Sequence, residues 1–116
     1  MEIAILGAGT GGVATAIALA KQGNEINLYE RSETVSTMGV GIVLWPNASF
    51  ALKQLGLLDA VRSVSGKLAS MKRINASSEN LGVLDIARIN KLMGQQSYSM
   101  AKGMSDLWGQ GLPLVV

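Results

Sequence analysis

Glycines stand at positions 7, 9 and 12, between an apolar run and a helical repeat. Glu2–Leu6 reads as a short buried strand. Gly7-Ala8-Gly9-Thr10-Gly11-Gly12 reads as a loop. From Val13 to Gln22 the apolar residues Val13, Ala16, Ile17 and Ala20 recur at helical spacing, so one face of a helix is predicted there. Gly23 is placed to end that helix. Glu25–Tyr29 then alternates as a second strand. Strand, glycine loop, helix and strand within about 30 residues make a βαβ unit with a parallel pair. The fold class expected is α/β, a Rossmann-like dinucleotide-binding fold, in a single domain over residues 1–116.

Each glycine of the G-x-G-x-x-G pattern has a physical task. Gly7 permits a tight turn, Gly9 leaves no side chain in the path of a pyrophosphate, and Gly12 lets helix and strand lie close. The helix N-terminus then aims free N–H groups and a positive dipole end at the phosphates. Glu30 closes the second strand. A carboxylate there can accept hydrogen bonds from both ribose hydroxyls and would repel a ribose 2′-phosphate. Arg31 beside it weakens that repulsion. The motif therefore favours FAD or NAD over NADP without separating the first two.

Composition removes whole classes of chemistry. The chain has no His and no Cys, which excludes disulfides, thiol nucleophiles, His-based triads and the usual zinc sites. Ten Lys and Arg against eight Asp and Glu leave a net charge of +2, too small an excess to argue for nucleic acid. The stretch from Ile3 to Ala20 carries no charge. It nevertheless lacks the basic n-region of a signal peptide, and Glu2 stands in its place. A cytoplasmic protein that neither binds nor spans a membrane is expected.

The remaining chain predicts further elements. Arg31–Met38 reads as a polar loop and Val40–Leu44 as a strand. Pro46 and Asn47 open a helix, with Asn47 as its N-cap and Ala48, Ala51, Leu52 and Leu55 on the inward face. Gly56 ends it. Leu57–Val64 reads as a second short helix with Leu57, Leu58, Val61 and Val64 inward. Leu68–Asn75 and Leu81–Ile86 flank a turn at residues 77–80 and read as a hairpin. Residues 88–97 carry no clear pattern, and Ser105–Leu112 reads as helix. Trp45, Phe50 and the methionines read as core.

The stretch Gly39-Val40-Gly41-Ile42-Val43-Leu44-Trp45-Pro46-Asn47-Ala48, with the helix running on to Leu55-Gly56-Leu57, adds a second motif. Together with the glycine loop and Glu30-Arg31 it resembles the flavin-dependent aromatic hydroxylases, single-component FAD monooxygenases. The resemblance is close over residues 1–60 and loose over 61–116. It implies that Gly7, Gly9, Thr10, Gly11, Gly12 and Glu30 bind the ADP half of FAD, with Arg31 beside the adenosine. It implies that Gly39, Gly41 and Ile42 run near the flavin. Members of that family reduce FAD with NADH or NADPH and use O₂ to place one oxygen on an aromatic or similar ring.

The sequence also departs from that family. Met104 stands where the R-x-D-L helix start of the family has Arg, and Ser49-Phe50 where an Arg is common. The family's substrate-binding part has no counterpart in 116 residues, so the segment is expected to be truncated and not competent alone. No catalytic residue is expected within it. A non-catalytic dinucleotide-binding or assembly module acting through a partner chain is the alternative. Self-association through an exposed sheet edge or the apolar tail Leu112–Val116 is expected, the tail either packing on the core or pairing with a second copy.

Overall fold

A computed structural model describes residues 1–32, 41–100 and 114–115. The elements in chain order are β1 (Glu2–Leu6), α1 (Thr10–Ala20), β2 (Glu25–Tyr29), β3 (Ile42–Leu44), α2 (Pro46–Gln54), α3 (Leu58–Val64), β4 (Gly66–Lys67), β5 (Ser70–Ile74), β6 (Asn80–Asp85), α4 (Ile86–Met93), β7 (Tyr98–Met100) and β8 (Leu114–Val115). They fall into two compact units, residues 1–40 with 102–116, and residues 41–101.

The first unit is the expected βαβ, but β1 is not the buried strand expected: none of its residues is buried and Leu6 is 84% exposed. β1 and β2 are parallel, in register from Glu2 opposite Glu25 to Leu6 opposite Tyr29. Ile26 and Leu28 alternate into the core and are buried. α1 covers the pair with Val13 and Ala16, the latter fully enclosed. The helix begins at Thr10, not at the expected Val13, because Gly9 already serves as its N-cap. Gly11 and Gly12 therefore lie in the first helical turn and not in the preceding loop. β8 adds to β2 in parallel, giving the order β1-β2-β8. The described part of the tail thus pairs within its own chain.

The second unit is built on an antiparallel sheet of order β3-β7-β4, with α2, α3 and α4 and the hairpin β5-β6. Leu44, Leu52, Val61, Ile86, Tyr98 and Met100 form its buried core. Several local expectations are corrected here. Trp45, not Asn47, is the N-cap of α2, because Pro46 takes the first helical position, where its missing N–H costs nothing. The inward line of α2 is Pro46, Ser49 and Leu52; Ala51 is exposed. Ser49 is drawn in because its hydroxyl donates to the Gln96 carbonyl at 2.6 Å. That choice turns Phe50 outward, 54% exposed, and not into the core. Val64 is likewise exposed, and so are Met1 and Met93, whereas Met100 is buried.

The hairpin forms as expected, with Ser70 opposite Asp85 and a register shift at Arg73/Ile74. Residues 88–97, without a clear pattern in the sequence, hold most of α4. Asp85 caps it by accepting from the Arg88 N–H at 3.0 Å, and Gly94 closes it in the left-handed conformation. A buried polar knot ties α4 to β7. Asn90 Oδ1 accepts from the Ser97 N–H at 3.1 Å and the Ser97 hydroxyl at 2.6 Å, while Asn90 Nδ2 donates to the Leu68 carbonyl at 3.1 Å. The expected loop from residue 33 to Met38, Gly39, the start of the strand at Val40, the helix over Ser105–Leu112 and the Met104 position lie outside the described residues. No helix among the described residues is long and apolar enough to cross a membrane.

Candidate dinucleotide-binding site

Parallel pairing brings the C-terminal ends of β1 and β2 to one edge of their sheet. The Gly7 N–H extends the ladder by donating to the Tyr29 carbonyl at 2.7 Å, so the glycine turn begins beside Glu30. Gly7 has φ +99°, a region that side chains rarely adopt. A Cβ on Gly12 would overlap the Gly7 carbonyl oxygen, far inside van der Waals contact distance. Both glycines are therefore demanded by the chain itself.

Gly9 and Gly11 differ. A Cβ on either would meet nothing within 4 Å, and Gly9 has an ordinary extended backbone, φ −71° and ψ 178°. Nothing among the described residues asks for glycine at these two positions. The end of α1 next to them carries no side-chain cap and no acid in its first turn. The first intrahelical bond runs from the Val13 N–H to the Gly9 carbonyl, 3.0 Å. By helix geometry the N–H groups of Thr10, Gly11 and Gly12 have no partner within the helix, and this end carries partial positive charge.

The Glu30 carboxylate is half-buried and closes the other side of the turn. Its Oε2 accepts from the Ala8 N–H at 2.8 Å and its Oε1 from the Ser32 N–H at 3.1 Å. The bond from Ala8, followed by that from Ser32, holds this carboxyl below the ordinary glutamate range; partial desolvation opposes them and the neighbouring Arg31 assists. An ionised carboxylate offers about four lone-pair sites. Not all of them are taken by these backbone bonds, so the carboxylate can accept further donors. Ala8 was not singled out in the sequence because it contributes only its backbone; its place between two glycines was the available signal.

The structure thus brings Gly7, Gly9, Thr10, Gly11, Gly12, Glu30 and the exposed Arg31 together in one unit. Gly41 and Ile42 belong to the other. There Ile42 is half-buried and pairs with Met100, and a Cβ on Gly41 would stand 3.3 Å from the Met100 carbonyl oxygen.

Residues 2–72 match the family model described as tryptophan halogenase. The chain belongs to that family. It is similar to an FAD-dependent urate hydroxylase of Klebsiella pneumoniae, 28% identical over 116 residues, a match covering 95% of this chain and 30% of the relative. It is 44% identical over 62 residues to a 3-hydroxybenzoate 6-hydroxylase of Klebsiella oxytoca, covering 53% of this chain and 16% of that one. Among solved structures it resembles Klebsiella pneumoniae HpxO complexed with FAD and uric acid, at a TM-score of 0.78 and 26% identity over 98% of this chain and 30% of the other. The chain thus spans about a third or less of the length of these relatives. The likeness fits the Rossmann-like α/β reading of the βαβ unit.

Proposed function

We propose that residues 1–116 are part of the FAD-binding domain of a flavin-dependent monooxygenase acting on an aromatic or similar small molecule. The observation that carries this reading is the hydrogen bond from the Ala8 N–H to Glu30, which sets a ribose-accepting carboxylate against the glycine turn. The residues present fit the cofactor. Gly9 leaves open space where the chain itself has no need of it, and the N-terminus of α1 is uncapped. Gly7, Gly9, Thr10, Gly11 and Gly12 would hold the pyrophosphate, Glu30 the ribose, and Arg31 would lie beside the adenosine.

The assignment of Gly41 and Ile42 to the flavin side rests on the second sequence motif. When bound, FAD supplies the redox chemistry, with NADH or NADPH as reductant in this reading. The chain's own part is to bind and orient; no residue of it is assigned a catalytic step. Hydroxylation is preferred to the halogenation in the family model's description because the curated relatives are named as hydroxylases. A cytoplasmic location and self-association through the free edge of β1 complete the proposal.

The test is a titration of the purified chain with FAD and with NAD, read by flavin absorbance and calorimetry. Saturable FAD binding that Glu30→Arg abolishes is expected. Binding of NAD in preference to FAD, or of neither, overturns the assignment.

A further inference from the structure

The second unit holds a cleft of about 590 Å³ that the glycine motif does not touch. That volume lies within the range of small-molecule sites. Lys53 of α2, Arg62 of α3 and Lys91 of α4 line it from three separate helices, and no acidic side chain is among its lining residues. Among the described residues Lys53 and Lys91 form no ion pair, and Arg62 has one partner, Asp59, at 3.6 Å. Asp59 is 97% exposed and outside the lining, so water screens that pair. Three cations in a lining that holds no acid leave a local positive potential that an anion relieves.

Tyr98 supplies the second, independent observation. It lines the cleft and is 2% exposed, yet its hydroxyl has no hydrogen-bond partner among the described residues. The other buried polar side chains of this unit, Ser49, Asn90 and Ser97, are all bonded. A buried hydroxyl without a partner among the described residues is unusual, and Tyr98 lines the cleft, so a ligand seated there can supply the acceptor. Leu58 and Leu68 add apolar wall. The geometry points to a second binding site, for a compact small-molecule polyanion bearing phosphate or carboxylate groups. Lys53, Arg62 and Lys91 neutralise its charge and the Tyr98 hydroxyl donates to one of its oxygens. The site is independent of the nucleotide reading, since every residue in it belongs to residues 41–101.

The test uses the full chain carrying Gly9→Val, so that the glycine turn cannot take the anion. Sodium pyrophosphate and sodium citrate are titrated separately by calorimetry at low salt. Saturable binding of pyrophosphate identifies a phosphate ligand, of citrate a carboxylate ligand; either supports the site. Lys53→Ala combined with Lys91→Ala, both at exposed positions, is expected to weaken that binding at least about tenfold. Tyr98→Phe is expected to weaken it several-fold while leaving the melting temperature of the free protein unchanged or higher. Failure of both anions to bind, or undiminished binding by the double variant, overturns the proposal. Full-strength binding by Tyr98→Phe overturns the role given to its hydroxyl.

Discussion

The Glu30 carboxylate accepts a hydrogen bond from the Ala8 N–H at 2.8 Å, joining the end of β2 to the turn that follows β1. Glu30→Gln keeps the shape and one acceptor oxygen but loses the charge. FAD affinity is expected to fall on the order of tenfold, because bonds to a charged acceptor exceed neutral ones by about that factor. Calorimetric titration of both proteins checks this, with circular dichroism to show that the fold is retained.

The same carboxyl makes stability depend on pH. Its folded value is lowered, chiefly by the Ala8 bond. The stabilisation is therefore fully present above the unfolded glutamate value of about 4.3 and is lost as pH falls through the lower folded value. Urea unfolding between neutral and acid pH is expected to show this acid-side loss in the native protein and a smaller loss in Glu30→Gln. Equal slopes in the two would place the acid sensitivity elsewhere.

Gly9 and Gly12 are expected to separate binding from folding. Gly12→Ala drives a Cβ into the Gly7 carbonyl, a backbone atom that cannot swing aside. Destabilisation of about 3 kcal/mol, the upper range of overpacking, is expected in urea denaturation. Gly9→Ala meets open space on an extended backbone. Its stability is expected to stay within about 1 kcal/mol of the native protein, while FAD affinity falls. Loss of stability and of binding in both variants alike would mean that Gly9 also serves the fold.

The βαβ unit was legible because its signals are local and mutually consistent: alternation at Ile26 and Leu28, helical spacing at Val13 and Ala16, and glycines whose geometry the turn demands. Glu30 was legible because it closes the second strand. The contact that fixes it, to a backbone N–H of Ala8, carries no side-chain signature. The second unit was less legible because its packing is decided by partners far along the chain. Ser49 faces inward to reach the Gln96 carbonyl, which turns Phe50 outward against its hydrophobicity. β7 is a short strand whose place between β3 and β4 depends on non-local pairing. The cleft and its three cations come from separate helices and leave no motif.

Asn90 bonds three groups at once, the Ser97 N–H, the Ser97 hydroxyl and the Leu68 carbonyl. Asn90→Ala leaves the two Ser97 groups without that partner in a buried setting, while the Leu68 carbonyl keeps the Gln96 Nε2 donor at 3.2 Å. A loss on the order of 3 kcal/mol is expected, since each orphaned buried group costs about 1–3 kcal/mol and some find water. Chemical denaturation measures it. Asn90→Asp retains the acceptor but loses the donor to Leu68, and is expected to fall between the two. A loss below that of an ordinary surface substitution would mean that water replaces the whole knot.

The helix α4 escaped the sequence reading although both of its ends are written in the chain. Asp85 caps the first turn through the Arg88 N–H, and Gly94 ends the helix at φ +67°. Between them Ile86 and Asn90 are buried on one face, a polar residue standing where an apolar one would have completed the pattern. Asp85→Ala removes the cap and is expected to cost about 1 kcal/mol. Gly94→Ala forces a side chain into the left-handed region, for a similar cost of about 1 kcal/mol. The two sites lie at opposite ends of the helix and share no partner, so the double variant is expected to lose the sum of the single losses. Urea midpoints of the three variants against the native chain test this, and an α4 held mainly by the Asn90 knot would show neither cost.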